Sequence, residues 1–261
     1  MEKDINFKSI RKFNIIMGSL HFVQACFMLY LGLFVEKFNS FVIPVQSNFL
    51  KFDTVAKRLV TDNQQVAEVH FAVYVSLFLF LSALFHFIIA APKFNEVYNR
   101  NLAKGMNPFR WYEYSLSSSL MISLIALLFG VYDIGLLIAI FFLNATMNLF
   151  GLLMEKINQF TTKTDWTSFV FGSIAGIGPW IVLTMYTFGN ADLSKVPWFA
   201  YAIFASYFFF FNCFPINMIL QYKKIGKWNN YLYGERTYIV LSLVAKTVLA
   251  WLVFAGVMQP N

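Results

Sequence analysis

The chain has 261 residues, of which 59% are hydrophobic, 20% are aromatic and only 13% are charged. Soluble domains carry about 25% charged residues, so these proportions exclude a water-soluble globule and a disordered chain. The net charge of +7 does not indicate nucleic-acid binding, because the basic residues occur in short clusters between apolar runs, as in the loops of membrane proteins. The composition therefore predicts an integral membrane protein.

Seven apolar stretches are long enough to cross a membrane as helices, since a span needs about 20 mostly apolar residues. They cover approximately residues 13–35, 67–91, 108–131, 134–155, 166–188, 197–221 and 236–257. The predicted fold is an all-α membrane protein, a bundle of seven transmembrane helices in a single domain over residues 1–261.

Capping residues indicate where three of these helices begin. Asn107 followed by Pro108 is typical of a helix start, because asparagine caps and proline suits the first helical position. The pair 164–165 and the segment 194–197 indicate two further starts. Trp111 lies near a predicted span end, where indole rings favour the membrane interface.

The distribution of basic residues predicts the orientation of the bundle. With a cytoplasmic N-terminus, fourteen lysines and arginines lie inside and five lie outside. The positive-inside rule then places the N-terminus in the cytoplasm and the C-terminus outside the cell, in a multi-pass protein of the cell membrane. The twentieth basic residue, Lys246, lies within the last span.

The longest connection, residues 36–66, lies on the outer side in this orientation. Its segments 41–45 and 49–52 suggest two short strands, a β-hairpin lying over the outer face. A flexible loop is an equally good interpretation of the same residues, because long loops are ordered only in some proteins.

Lys246 lies ten residues after Arg236 and is therefore about 15 Å deep by helical rise, near the middle of a ~30 Å core. A charge at that depth is costly and indicates a functional site by default. The cost of burying such a lysine can be lowered in three ways: by an ion pair, by loss of the charge, or by a Schiff base with a carbonyl cofactor. A purely structural ion pair stays open.

Glu113 is the predicted partner of Lys246, as the carboxylate nearest to the helical core. If Arg110 marks the interface, however, Glu113 lies shallower than Lys246. The other polar residues of the spans lie at mid-depth or in the inner half, whereas the outer halves of the third and seventh spans are almost wholly apolar. A metal held by His21, His86 and Glu113 is a less favoured interpretation.

Two segments resemble the heliorhodopsin family of retinal-binding microbial rhodopsins, whose inverted topology agrees with the charge distribution. Residues 110–121, RWYEYSLSSSLM, look like the third-helix motif of that family, and residues 242–246, SLVAK, look like its retinal-attachment segment. The resemblance covers essentially the whole chain. It includes the long first outer loop and the positions of His21, Ser82, His86 and Asn144.

The resemblance implies all-trans retinal bound covalently at Lys246 as a Schiff base, with Glu113 as its counterion. It also implies a polar cavity on the cytoplasmic side that receives or shares the proton after illumination. The residues expected to line that cavity are His21, Ser82, His86, Tyr114, Ser118 and Asn144. The other residues expected to contact retinal are Ser242, Met121, Met147, Trp180 and Phe211.

The function implied is a photosensory protein without ion pumping, and not an enzyme. Proton pumps of related type carry an aspartate at the position of Ser242 and a carboxylic proton donor at the position of Leu124. The implied partners are membrane lipid, a second copy of the chain in a homodimer that the outer loop helps to form, and an unidentified signalling protein. A light-driven proton pump, a light-gated ion channel and a retinal-free transporter are the alternatives.

Overall fold

The chain forms a bundle of long helices with one β-hairpin, in a computed structural model that describes residues 6–189 and 198–257. Seven of the helices in these ranges have 20 or more residues. In chain order the elements are α1 (Phe7–Phe34), α2 (Glu36–Asn39), β1 (Val42–Asp53), β2 (Arg58–His70), α3 (Phe71–Ala90), α4 (Pro92–Ala103), α5 (Pro108–Leu128), α6 (Ile134–Ile157), α7 (Thr167–Phe188), α8 (Trp198–Tyr222), a short 3-10 helix (Gly226–Asn229) and α9 (Tyr231–Val257).

Six helices, α1, α3, α6, α7, α8 and α9, are long and apolar enough to cross a membrane. The chain is therefore a multi-pass integral membrane protein of the helical-bundle class. The third predicted span corresponds to α5, whose 21 residues include Arg110 and Glu113. Helix α5 is less apolar than the six because its first half also carries tyrosines and serines, and it packs against both α3 and α6.

Side-chain caps fix the starts of α1 and α5. Asn107 caps α5 as predicted, with its side chain accepting a hydrogen bond from Arg110 N at 3.2 Å and proline at the first helical position. The sequence reading missed the cap of α1, where Asn6 and Ser9 exchange side-chain to backbone hydrogen bonds. The cap makes α1 begin earlier than the apolar run. The start expected at 194–197 lies outside the described residues.

The outer connection is an antiparallel hairpin in which β1 pairs with β2. The prediction of two short strands at 41–45 and 49–52 was wrong in its pairing, because both segments belong to β1 apart from residue 41. Their partner is β2, and the turn falls after both segments. The structure thus has two strands, as many as the sequence suggested, but both are longer and the second lies further along the chain.

The turn and one edge contact hold this hairpin in place. Asp53 accepts hydrogen bonds from the backbone N–H groups of Val55 and Ala56 at 2.8 and 2.9 Å. These donors hold the pKa of the exposed Asp53 carboxyl below its usual range. Gln46 N donates to Tyr132 O at 2.8 Å, which ties β1 to the connection between α5 and α6.

Helix α4 was not expected from the sequence. Its buried face carries Asn95, Tyr98 and Leu102, and its exposed face carries Lys93 and Arg100. The helix is amphipathic, but its 12 residues are too few and too polar for a membrane span, so a search for long apolar stretches passes over it. The helix covers the end of the bundle opposite the hairpin. We call these two ends the α4 end and the hairpin end.

Apolar packing is concentrated at the hairpin end. The largest cluster of buried apolar side chains joins the second half of α5, the second half of α9, and β1. Among its members are Ile122, Ile125, Val131, Leu249, Val253, Phe254, Ile43 and Val45. The buried polar residues of the same helices, such as Glu113 and Ser242, lie nearer the α4 end.

Gly151 is where α6 approaches α5 most tightly, since a Cβ atom placed there overlaps the ring of Trp111. We expect Gly151→Ala to lower the free energy of unfolding by about 1–3 kcal/mol, because the ring is buried and cannot move aside. The measurement is thermal unfolding of the purified protein in detergent. Gly178→Ala is the matched control, since its Cβ meets only the end of the half-exposed Leu143 side chain at 3.0 Å. Equal unfolding temperatures for the two variants would contradict the packing argument.

Candidate functional site

Lys246 is buried in α9, with 3% of the residue exposed. Its Nζ donates to three oxygens: Glu113 Oε1 at 2.6 Å, Ser82 Oγ at 2.5 Å and Ser242 Oγ at 3.1 Å. An ammonium group has three hydrogens to donate, so these contacts satisfy it completely. The structure therefore brings together the predicted lysine, the predicted carboxylate and two of the predicted serines.

Glu113 is held by hydroxyl groups as well as by the lysine. Its Oε1 accepts from Ser82 Oγ and from Ser117 Oγ, both at 2.6 Å. Hydrogen bonds to an ionised group are stronger than neutral ones, and this offsets part of the cost of burying the pair. Sequence reasoning gave Ser117 no role, although it follows Glu113 by four residues, the spacing that puts two side chains on one helical face.

The sequence suggested that Glu113 lies at a shallower depth in the membrane than Lys246, on the assumption that Arg110 marks the interface. In the structure Arg110 does not lie in an exposed, interfacial position. Only 6% of Arg110 is exposed, and its guanidinium forms ion pairs with Glu155 and Glu235. A buried Arg110 places Glu113 deeper than its sequence position suggested. That is why the side chain of Lys246 reaches it.

An apolar cavity of about 420 Å³ lies beside Lys246, in the size range of ligand pockets. The four residues expected as its walls all line it: Met121, Met147, Trp180 and Phe211. Trp180 stacks on Tyr207 with 5.1 Å between ring centroids and meets Phe211 edge to face at 5.3 Å. Gly172 and Gly176 of α7 also line the cavity. The walls are thus mainly aromatic rings and methionines, and Lys246 is the charged group among them.

Three of the residues expected in the polar cavity lie together on the α4 side of Lys246. His86 Nδ1 lies 2.7 Å from Asn14 Oδ1, and the His21 ring stacks on the His86 ring with 5.7 Å between centroids. A small cavity of about 30 Å³ is lined by Ser82, His86 and Glu113 among others. Within residues 6–189 and 198–257, no three His, Cys, Asp or Glu side chains form a group suited to a metal ion.

Three of the predicted residues do not line this small cavity, namely His21, Ser118 and Asn144; His21 contacts it only through the histidine ring on which it stacks. Asn144 Nδ2 donates to Ser118 Oγ at 2.8 Å and to Ser119 Oγ at 3.0 Å, so the three side chains link α5 to α6. Ser118 lines the large apolar cavity instead. Tyr114 lines both cavities and forms the boundary between them. The single polar cavity that was expected is therefore divided by α5.

Sequence reasoning missed the buried ionic cluster of Arg110, Glu155 and Glu235. It treated Glu113 as the carboxylate nearest the core, yet Glu155 is 2% and Glu235 1% exposed. Trp111 was expected at the interface, but it is buried and its Nε1 donates to Glu155 Oε2 at 2.7 Å. Charged and indole groups near span ends usually mark the interface, and a single sequence carries no signal that these pair with one another.

The fold and the site define a class: a helical membrane bundle in which a buried lysine–glutamate pair adjoins an apolar cavity, as in retinal-binding rhodopsins. The family model for heliorhodopsin matches residues 10–258. The chain belongs to the heliorhodopsin family. A comparison with curated proteins gave no match. This family consists of photoreceptor-type rhodopsins, which are not classical enzymes. Membership of the family implies retinal as the cofactor.

Arg110 is expected to be the most sensitive position of the ionic cluster. Arg110→Met leaves two carboxylates buried without their cation, which costs about 3–5 kcal/mol in the free energy of unfolding. The measurement is chemical or thermal unfolding of the retinal-free protein. Arg100→Met on the exposed face of α4 is the control and is expected to change that free energy by about 0.5 kcal/mol at most. Similar stabilities for the two variants would show that the cluster is not a major constraint on the fold.

Proposed function

We propose that the protein is a photosensory receptor that binds all-trans retinal covalently at Lys246 and moves a proton inside the membrane without pumping ions. The observation that carries the proposal is the apolar cavity that adjoins a buried lysine. A structural ion pair between Lys246 and Glu113 needs no such space beside it. The cavity therefore favours a ligand-binding site over a purely structural pair.

The residues around the cavity fit an apolar chromophore. Aromatic and methionine side chains such as Trp180, Phe211 and Met121 exclude water and offer dispersion contacts along its length. Bound retinal would supply light absorption and an isomerisation that alters the surroundings of the lysine nitrogen. The Tyr114 ring, whose centroid is 5.5 Å from Lys246 Nζ, would limit the movement of that nitrogen.

Glu113 is proposed as the counterion of the positive charge at Lys246 Nζ. A cation in a low-dielectric site requires a nearby anion, and Glu113 Oε1 lies 2.6 Å from Nζ. Ser82 Oγ lies within hydrogen-bond reach of both groups, at 2.5 Å from Nζ and 2.6 Å from Oε1. Ser82 is therefore placed to pass a proton between them.

Sensing is favoured over pumping because the buried charged groups lie on one side of the lysine. An ion crossing the protein needs a polar route on both sides. The buried ionisable groups beside Lys246, such as His86 and Glu235, lie towards the α4 end. At the hairpin end the buried polar side chains are neutral hydroxyls such as Ser76 and Thr187, within a largely apolar core. The distribution of basic residues supports a cytoplasmic α4 end, where an unidentified signalling protein would read the change.

The hairpin supports the proposed homodimer. Its strands and turn expose several large apolar side chains, a composition typical of contact surfaces. These are Phe49, Leu50, Phe52, Val55 and Leu59. A second copy of the chain, offering the same residues across a two-fold axis, would cover them.

An absorption spectrum tests the chromophore directly. We expect the protein expressed with all-trans retinal to show a visible band that Lys246→Ala abolishes, because no other amine adjoins the cavity among the residues that line it. Lys93→Ala, at an exposed lysine of α4, is the control and should keep the band. Folded protein without a band in any variant would favour the retinal-free transporter. Sustained photocurrents in voltage-clamped cells would favour the pump or channel.

The counterion assignment has its own test. We expect Glu113→Gln to shift the visible band strongly or to move it into the near ultraviolet at neutral pH, because the positive nitrogen loses its only contacting carboxylate. The measurement is the absorption spectrum of each variant over a pH series. Glu96→Gln, at an exposed glutamate of α4, provides the matched control. A spectrum of Glu113→Gln identical to that of the parent protein would remove Glu113 as the counterion.

A further inference from the structure

The cluster of Arg110, Glu155 and Glu235 is a second buried ionic site, separate from the pair at Lys246. One guanidinium faces two carboxylates, so the cluster holds one more negative than positive charge when both are ionised. All three residues are almost fully buried, and an uncompensated charge in such a place is costly. A proton joining the cluster removes that excess charge.

The two carboxylates differ in how many donors stabilise their charge. Glu155 accepts from four groups: Arg110 Nη2, Asn107 N, Trp111 Nε1 and Tyr231 OH. Glu235 accepts from three: Arg110 Nη1, Asn107 Nδ2 and Tyr98 OH. Hydrogen bonds to the charged form of a carboxyl oppose its protonation. Glu235 is therefore the better proton acceptor of the two.

Glu235 is connected to the lysine site through the small cavity. It precedes Lys246 by eleven residues in α9, close to three helical turns, so both side chains lie on the same face. The cavity of about 30 Å³ is lined by Glu113, Ser82 and Ser242 of the lysine site and also by Glu235. A space of this size holds a water molecule when polar groups line it.

A chain of side-chain contacts also joins His86 to Glu235. Because the Asn14 carboxamide does not relay a proton, this chain positions Glu235, and the path for the proton is the small cavity. His86 Nδ1 lies 2.7 Å from Asn14 Oδ1, Asn14 Nδ2 donates to Tyr98 OH at 3.3 Å, and Tyr98 OH donates to Glu235 Oε1 at 3.0 Å. His86 itself lines the small cavity beside Ser82. The chain runs through α3, α1 and α4 and ends at the carboxylate of α9.

We propose that Glu235 holds the proton that leaves Lys246 Nζ after illumination. The N–H bond breaks with its electron pair left on nitrogen, and an O–H bond forms on the Glu235 carboxylate by way of the small cavity. The reverse transfer restores the dark state, and no further reactant is needed. This inference rests on the proposed function, and it makes the cluster the end of the proton path.

The ionisable groups near Glu235 come from several helices. They are Tyr98 of α4, Arg110 of α5, Glu155 of α6 and Tyr231 and Tyr238 of α9, with His86 of α3 reached through Asn14 of α1. Arg110 keeps its charge throughout, so it continues to pair with Glu155 when Glu235 is neutral. The acquired proton stays inside the protein, since Glu235 is 1% exposed.

Light-minus-dark infrared spectroscopy of the full chain with retinal tests this assignment. We expect a positive carbonyl-stretch band of a newly protonated carboxyl, which Glu235→Gln abolishes and the exposed control Glu96→Gln retains. Glu235→Asp keeps a carboxyl group and is expected to shift the frequency of the carbonyl band. This variant tests the assignment even if Glu235→Gln does not fold. Acid-minus-neutral infrared spectra of the retinal-free protein contain the carbonyl bands of all carboxyls that take up a proton, and we expect the parent and Glu235→Gln spectra to differ by the band of one buried carboxyl.

The outcomes separate this inference from the proposed function. A visible band that bleaches in light, with a carboxyl band unaltered in both Glu235 variants, would overturn the inference and leave the receptor proposal standing. A carboxyl band removed by Glu155→Gln but not by Glu235→Gln would do the same. A parent protein without any visible band would instead overturn the proposed function.

Discussion

The burial of one positive charge, at Lys246, constrains the arrangement of the bundle more than any other interaction. Helices in lipid gain little from apolar contact with one another, because lipid tails are as apolar as leucine. Specific polar contacts therefore select which helices become neighbours. Lys246 takes its partners from α3, α5 and its own helix. An unpaired ammonium at this depth would cost several kcal/mol, so the three helices must meet at this level.

The cluster of Arg110, Glu155 and Glu235 is a second set of buried charges, at the α4 end, and it also requires particular helices to be neighbours. Arg110 and Glu113 are three residues apart on α5, yet one joins α6 and α9 and the other joins α3 and α9. Helix α5 is thus both the most polar of the long helices and the wall between the two cavities. Apolar residues of its second half, such as Ile122 and Ile125, close the hairpin end.

The sequence predicted the features that a single residue or a continuous apolar run determines. It missed the contacts between residues that are far apart in the chain. The apolar runs located the long helices, and Lys246 was found because it interrupts such a run. Glu235 and Arg110 lie 125 positions apart, so nothing in the sequence indicated that they pair: Arg110 was interpreted alone, as a marker of the interface, and Glu235 was given no role. The pairing of the hairpin was missed because it depends on the position of the turn. Helix α4 was missed because it is too short and polar to stand out as a span, although its sequence is amphipathic.

The division of the interior explains how one site can hold a chromophore and confine a proton. The large cavity adjoins the lysine with mainly apolar walls, and no carboxylate or histidine is among the residues that line it. The small cavity adjoins the same group of side chains with oxygen and nitrogen atoms. Ser82 and Glu113 stand where the second space begins, so under the proposed function a proton would move towards α4 and away from the hairpin. Because the first acceptors and the last are all buried, a transferred proton changes the charge distribution among α4, α5, α6 and α9 while it stays within the protein. Such a change at the α4 end is what a sensor requires and a pump does not.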